Sequence, residues 1–259
     1  MIKKHILDLI VKENIFLNDQ HFLLKLTSET QLPEILPGQF SELYVDNSNT
    51  AFLRRPISIN FVDRELNELW FLIQIKGEGT LQLGKLVKGD KLNVLIPLGN
   101  TFTLPDYPVN NIILIGGGVG AAPLLYWAEY LKSKNINCTI LLGARSKAHL
   151  LQVCEFEQYG NVIITTEDGS EGEKGFVTDH SVLKTTNFDA VYTCGPTPMM
   201  QAVARYAASR SIFCEVSLEN TMACGIGACL CCVTDSVDGN ICVCTEGPVF
   251  NINKLKWQI

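Results

Sequence analysis

Apolar residues recur along this chain in two rhythms, and the rhythm changes near residue 102. Before that point, short runs at 6–11, 21–26, 39–45, 57–62, 68–75 and 92–96 are apolar throughout or alternate with polar residues. A period of two places alternate side chains on one face of a pleated strand. Asn, Asp, Pro and Gly punctuate these runs, as at Pro37-Gly38 and Gly89-Asp90, and such residues end strands and open turns. Short strands at this spacing predict a small antiparallel barrel. After residue 102 an apolar run at 112–115 leads into a glycine-rich turn and an amphipathic stretch at 125–134. Strands at 139–143, 161–165 and 190–194 then alternate with helical patterns near 150–158, 177–184 and 198–209. That alternation predicts a doubly wound parallel sheet. A strand at 213–218, a cysteine-rich stretch and a hairpin around 237–240 follow. The expected architecture is a β plus α/β multidomain chain: a barrel over 1–101, an α/β domain over 102–212 and a small C-terminal subdomain over 213–259.

Length and charge narrow the picture. The 259 residues give room for two ordinary domains. Apolar residues make up 47%, which suits either a buried partner surface or a well-packed core. No window holds eighteen uncharged apolar residues, so no membrane span is expected. A net charge of −6 argues against nucleic-acid binding. The opening Met1-Ile-Lys-Lys-His-Ile lacks the apolar stretch of a signal peptide. A cytoplasmic location with reduced thiols is the expectation.

Six of the ten cysteines fall between 224 and 244. Cys224, Cys229 and Cys232 are spaced C-x4-C-x2-C, the pattern of a plant-type [2Fe–2S] centre held by four thiolates. The fourth ligand is expected to be Cys244, with Cys242 as competitor, and Cys231 is read as a bystander. Gly225, Ile226, Gly227 and Ala228 suit a loop that curls round a cluster, with amides close to sulfur. The competing readings are a four-cysteine zinc site and plain structural thiols. His5, His21, His149 and His180 are scattered without ligand spacing.

Three further segments bear chemistry. Arg54-Arg55-Pro56-Ile57-Ser58 and Lys76-Gly77-Glu78-Gly79-Thr80 both lie in the barrel. The second opens a short helix with free amides, and an arginine from a nearby strand would complete a pyrophosphate clamp. In the α/β half, residues 116–120 follow a strand and precede a helix, which is a phosphate-binding arrangement. The dinucleotide fingerprint is incomplete: Ala121 stands where the third glycine would fall, and Arg145, which could accept a 2′-phosphate, follows the second strand.

Arg55-Pro-Ile-Ser58, Gly77-Glu-Gly-Thr80, Gly116-Gly-Gly-Val-Gly120 and Cys194-Gly-Pro-x-Pro-Met199 together resemble the ferredoxin–NADP reductase superfamily. The resemblance implies FAD bound through Arg55, Pro56, Ile57, Ser58, Gly79 and Thr80, with the strand at Leu72, Ile73 and Gln74 against the flavin. Ser58 would lie near flavin N5, and Ile57 replaces the usual tyrosine. It implies NAD at Gly116, Gly118, Gly120, Gly195 and Pro196, with Cys194 facing the nicotinamide. Adding Met222-Ala-Cys-Gly-Ile-Gly-Ala-Cys229 and Glu246-Gly-Pro-Val-Phe250, the chain is similar to electron-transfer subunits of class 1B dihydroorotate dehydrogenase. The implied ligands are Cys224, Cys229, Cys232 and Cys244. The implied partner is an FMN-containing catalytic subunit in a heterotetramer. A stand-alone NAD(P)H:acceptor oxidoreductase, a reductase subunit of a sulfhydrogenase or glutamate synthase-like complex, and a zinc-stabilised nucleotide-binding regulator are the alternatives.

Overall fold

The structure is a computed structural model, and it describes residues 3–257 except Asn47 and Asn49. Met1 and Ile2, the start of the stretch read for a leader, lie outside the described residues. The chain forms two compact units.

The first unit contains Met1–Thr101, Glu219–Thr234 and Asn240–Pro248. Its strands are β1 (His5–Asn18), β2 (His21–Thr27), β3 (Phe40–Leu43), β4 (Arg55–Ser58), β5 (Phe61–Asp63), β6 (Glu68–Gln74) and β7 (Lys91–Leu98), with the short helix α1 (Glu78–Gly84) between the last two. They pair in the order β4-β3-β7-β1-β2-β6-β5, antiparallel throughout. The two edges are consecutive in sequence. Ile59 N donates to Gln39 O at 3.0 Å on one side, and Asn60 N donates to Trp70 O at 3.0 Å on the other. One stretch therefore serves both ends of the sheet and curls it toward a barrel. Leu9, Phe22, Leu24, Leu26, Leu43, Leu69, Phe71 and Val94 fill the interior with no residual exposure. Burying each such side chain favours folding by about 1.5–3 kcal/mol.

The second unit contains Phe102–Leu218, Asp235–Gly239 and Val249–Ile259. Strand β8 (Ile112–Gly117) runs through a 3-10 turn at Gly118–Ala121 into α2 (Ala122–Ser133). β9 (Cys138–Ala144), α3 (Val153–Glu157), β10 (Asn161–Thr166), β11 (Glu173–Lys174), α4 (Val182–Thr185), β12 (Ala190–Cys194), α5 (Thr197–Ser209) and β13 (Phe213–Ser217) follow. The chain then makes the hairpin β14 (Val233–Ser236) and β15 (Gly239–Cys242), the short helix α6 (Val243–Glu246), and β16 (Val249–Asn251). The large sheet is ordered β11-β10-β9-β8-β12-β13-β16. All its pairs are parallel except β13 with β16. The chain leaves β8 toward β9 and later returns to β12 on the other side. This reversal is a topological switch point, where open α/β sheets bind ligands beyond the strand ends. Phe102, Trp127 and Tyr192 interlock beneath it, with ring centroids 5.2–5.7 Å apart.

Three expectations need adjustment. The pattern at 177–184 is not one helix: a 3-10 turn at Val177–Asp179 and α4 are separated by His180, whose ψ of 135° breaks the spiral. The helix near 150–158 begins only at Val153, because Gln152 has a left-handed φ of 54°. The segment set apart as a third domain is divided: β13 and β16 belong to the sheet of the second unit, and the cysteine loop belongs to the first unit.

Candidate electron-transfer sites

In the first unit, β4 brings the Arg-Pro-Ile-Ser segment alongside β3, with Pro56 opposite Glu42 and Ser58 opposite Phe40. All four residues are half-buried, so they line a surface rather than the core. The two arginines divide the work. Arg54 Nη1 donates to Asn93 O at 3.1 Å and to Glu42 O at 3.3 Å, and its guanidinium lies 5.3 Å from the Tyr44 ring. Arg55 instead crosses the start of α1. A Cβ at Gly79 would sit 2.2 Å from Arg55 Nε, so only glycine leaves room for the guanidinium there. Thr80 Oγ1 accepts from Lys76 N at 3.0 Å and donates to Gly77 O at 3.1 Å, tying down the turn before the helix. A cationic fork above free helical amides suits a diphosphate. The strand expected against the flavin differs in detail. Leu72 and Ile73 are 3% and 1% exposed, packed toward their cross-strand partners Leu23 and Phe22. Of these three residues, only Gln74 has a half-exposed side chain.

In the second unit, the switch point gathers both halves of the expected nucleotide site. Cys194 at the end of β12 pairs with Gly116 at the end of β8. A Cβ at Gly120 would lie 2.4 Å from Gly195 Cα, and one at Gly117 would lie 3.0 Å from Pro196 Cδ. Gly118 has a positive φ of 54°, and at Gly117 and Gly120 the glycine turn closes onto the Cys-Gly-Pro turn with no space for a side chain. Cys194 is 1% exposed. Arg145 is exposed just beyond β9.

The cysteine loop belongs to the first unit and is bent by left-handed Gly225 (φ 65°), Gly227 (φ 83°) and Leu230 (φ 57°). Its amides turn toward sulfur. Cys224 Sγ accepts from Ile226 N at 3.5 Å and from Cys229 N at 3.4 Å. Cys244 Sγ accepts from Gly227 N at 3.2 Å, while Cys232 Sγ accepts from Cys244 N at 3.4 Å. Burial works against the Cys224 thiolate, but the amides of Ile226, Cys229 and Ala228 and the Cys229 thiol outweigh it and bring the group down to about 6. Burial, reinforced by the Cys232 thiol, pushes Cys244 up to about 12. Occupation of this site must therefore expel a proton from Cys244.

Two of the thiol contacts are paired: Cys224 with Cys229, and Cys232 with Cys244. A two-iron core takes two thiolates per iron, so this donor set fits it. Among the described residues no three or more His, Cys, Asp or Glu side chains converge as the shell of a single ion. Cys242 also reaches Cys232, but no loop amide turns to its sulfur; its own N–H donates to Glu246 Oε2 at 2.6 Å. Cys231 points to solvent. Glu42, which sequence reasoning passed over as an ordinary strand residue, lies beneath this loop with no exposure.

A family model described as the iron-sulfur cluster binding domain of dihydroorotate dehydrogenase B matches residues 219–256, and one for an oxidoreductase NAD-binding domain matches 114–205. The chain is 38% identical over 252 residues to the dihydroorotate dehydrogenase B (NAD(+)) electron transfer subunit of Shouchella clausii, covering 95% of this chain and 96% of the relative. It is 40% identical over 218 residues to the subunit of the same name from Caldanaerobacter subterraneus subsp. tengcongensis, covering 83% and 84%. Among solved structures, an NADH-dependent reduced ferredoxin-NADP oxidoreductase studied for flavin-based electron bifurcation superposes with a TM-score of 0.86 at 30% identity, over 96% of this chain and 90% of that one. With relatives of this identity matched nearly end to end, and the iron–sulfur model falling on the loop whose amides turn to sulfur, the chain belongs to the family of dihydroorotate dehydrogenase B (NAD(+)) electron transfer subunits.

Proposed function

We propose that this chain is the electron-transfer subunit of a dihydroorotate dehydrogenase B, working in pyrimidine biosynthesis and passing electrons through a [2Fe–2S] cluster and FAD to NAD+. One observation carries the reading: a single compact unit holds both the amide-lined thiol loop and the Arg55–Gly79 clamp. When bound, FAD exchanges a hydride with nicotinamide and single electrons with an iron–sulfur cluster, so it links carriers that cannot exchange directly.

The protein's part is to hold and orient. Arg55 and the first amides of α1 would grip the flavin diphosphate, with Gly79 and Thr80 shaping the turn. Pro56 and Ile57 would carry the strand along the ring system, with Gln74 and the backbone at Leu72 and Ile73 beside it. The Ser58 hydroxyl would supply a hydrogen bond at flavin N5. In the second unit, Gly116, Gly118 and Gly120 would admit the dinucleotide diphosphate against Gly195 and Pro196, and Cys194 would face the nicotinamide. Cys224, Cys229, Cys232 and Cys244 would bind the cluster, and the loop amides would favour its reduction by stabilising charge on sulfur.

The electron donor in this reading is a separate FMN-containing catalytic subunit that oxidises dihydroorotate, joined to this chain in a heterotetramer in the cytoplasm. Ile226 and Leu230, 47% and 63% exposed on the cysteine loop, offer apolar surface at the point where electrons enter. No helix among the described residues is long and apolar enough to cross a membrane.

The test is co-expression with an FMN-containing dihydroorotate-oxidising subunit. Recovery of a complex whose visible flavin and iron–sulfur bands bleach with dihydroorotate and recover with NAD+ supports the proposal. A colourless chain, or a coloured one that ignores the subunit, overturns it. A reductase subunit of another complex is the second reading, favoured by the 0.86 superposition, and the same pull-down separates the two.

A further inference from the structure

Glu42 is a buried acid with no structural task. It lies within β3, opposite Pro56 of β4 on one side and Leu95 of β7 on the other. It has no solvent exposure, and both carboxyl oxygens are buried without a hydrogen-bond partner. The neighbouring Arg54 gives its Nη1 donors to the backbone oxygens of Glu42 and Asn93 rather than to this carboxyl. The side chain lies directly beneath the cysteine loop: a Cβ at Gly225 would be 2.8 Å from Glu42 Cγ and 3.2 Å from Oε1. Its charged surroundings are Arg54, just before β4, Arg55 at the start of β4, and Cys224 from the loop. Burying a carboxyl without partners is unfavourable, and an apolar residue would pack there at less cost. The position therefore points to a role in what the loop holds.

We propose that Glu42 is a positioning residue of the redox site, whose carboxyl, pressed against Gly225 from beneath, lowers the reduction potential of the [2Fe–2S] cluster bound by the loop above it. The physical basis is Coulombic. In its ionised form, a carboxylate in a low-dielectric interior opposes the arrival of an electron nearby far more than the same charge in water. The position opposite Pro56 puts this control on the strand next to the flavin motif, so a change at Glu42 alters the driving force between cluster and flavin. The inference rests on the reading of the loop as a [2Fe–2S] site.

The experiment is a dye-mediated redox titration of the whole chain with its cofactors, in mildly alkaline buffer, following the EPR signal of the reduced cluster in wild type, Glu42→Gln and Glu42→Asp. Glu42→Gln keeps the shape and removes the charge. It is expected to ease cluster reduction about tenfold, a rise of about 59 mV for a one-electron couple, with flavin content unchanged. Glu42→Asp draws the charge back by one methylene and is expected to shift the potential the same way by less, so either variant decides the matter if the other fails to fold. A cluster-loaded variant whose reduction equilibrium stays within twofold of wild type, a shift under about 18 mV, overturns the proposal. Loss of the cluster from both variants also overturns it, in favour of a scaffold role. Absence of iron and sulfide from the wild type instead defeats the underlying reading of the loop.

Discussion

Gly79→Ala separates ligand binding from stability. In an α-helix, alanine is favoured over glycine by up to about 1 kcal/mol, and Gly79 does not have a positive φ. The apo protein should therefore keep or slightly raise its melting temperature. The added methyl, however, would lie 2.2 Å from Arg55 Nε and 3.0 Å from Cζ and Nη2. Ordinary contact is about 3.5–4.0 Å, so the guanidinium must leave the helix start. A hydrogen bond to a charged group is worth roughly 1.5–3 kcal/mol, and each 1.4 kcal/mol is about tenfold in affinity. FAD binding should weaken roughly 10- to 150-fold, while the cluster absorbance stays unchanged. The assay pairs calorimetric titration of deflavinated protein with FAD against a thermal melt of the same sample. Wild-type FAD affinity in a well-folded variant would falsify the Arg55–Gly79 clamp, and a large drop in apo stability would refute the packing argument.

Other outcomes follow from the same geometry. Cys244→Ser should abolish the visible cluster bands and Cys242→Ser should retain them, as read by absorbance and iron content; the reverse result transfers the fourth ligand to Cys242. Gly120→Ala puts a methyl 2.4 Å from Gly195 Cα, where only backbone could give way, so the Kd for NADH should rise at least tenfold with flavin and cluster spectra intact. Unchanged binding would remove the switch point from the nucleotide site. Asp189 accepts from Asn110 N at 2.7 Å and Asn111 N at 2.9 Å, and these bonds hold its carboxyl below the usual range. The stability it contributes is present above the unfolded value of about 3.9 and is lost as pH falls through the lower folded value. Asp189→Asn should lower the melting temperature at neutral pH and lose that effect in strong acid; an equal deficit at both would point to packing instead.

The amino-acid pattern alone determined what depends on short-range order. Alternation marked the barrel strands, strand–helix alternation marked the parallel sheet, and C-x4-C-x2-C marked the loop, because pleat, helical turn and ligand loop are properties of neighbouring residues. Choices among equivalent neighbours needed the tertiary structure. Arg54 and Arg55 are adjacent, yet only Arg55 crosses Gly79, because β3 and β7 claim the other. Cys242 and Cys244 are two residues apart, and Gly227 N turns to Cys244 Sγ because α6 begins between them. Residues 213–259 read as one appendage but are shared by two units, since the short strand β16 finds its partner β13 more than thirty residues back. Glu42 was invisible for the same reason: an acid in a four-residue strand looks solvent-facing until a loop some 180 residues later covers it. Periodicity records which way a side chain faces along its own segment, but what comes to lie against that face is set by chain closure over long separations.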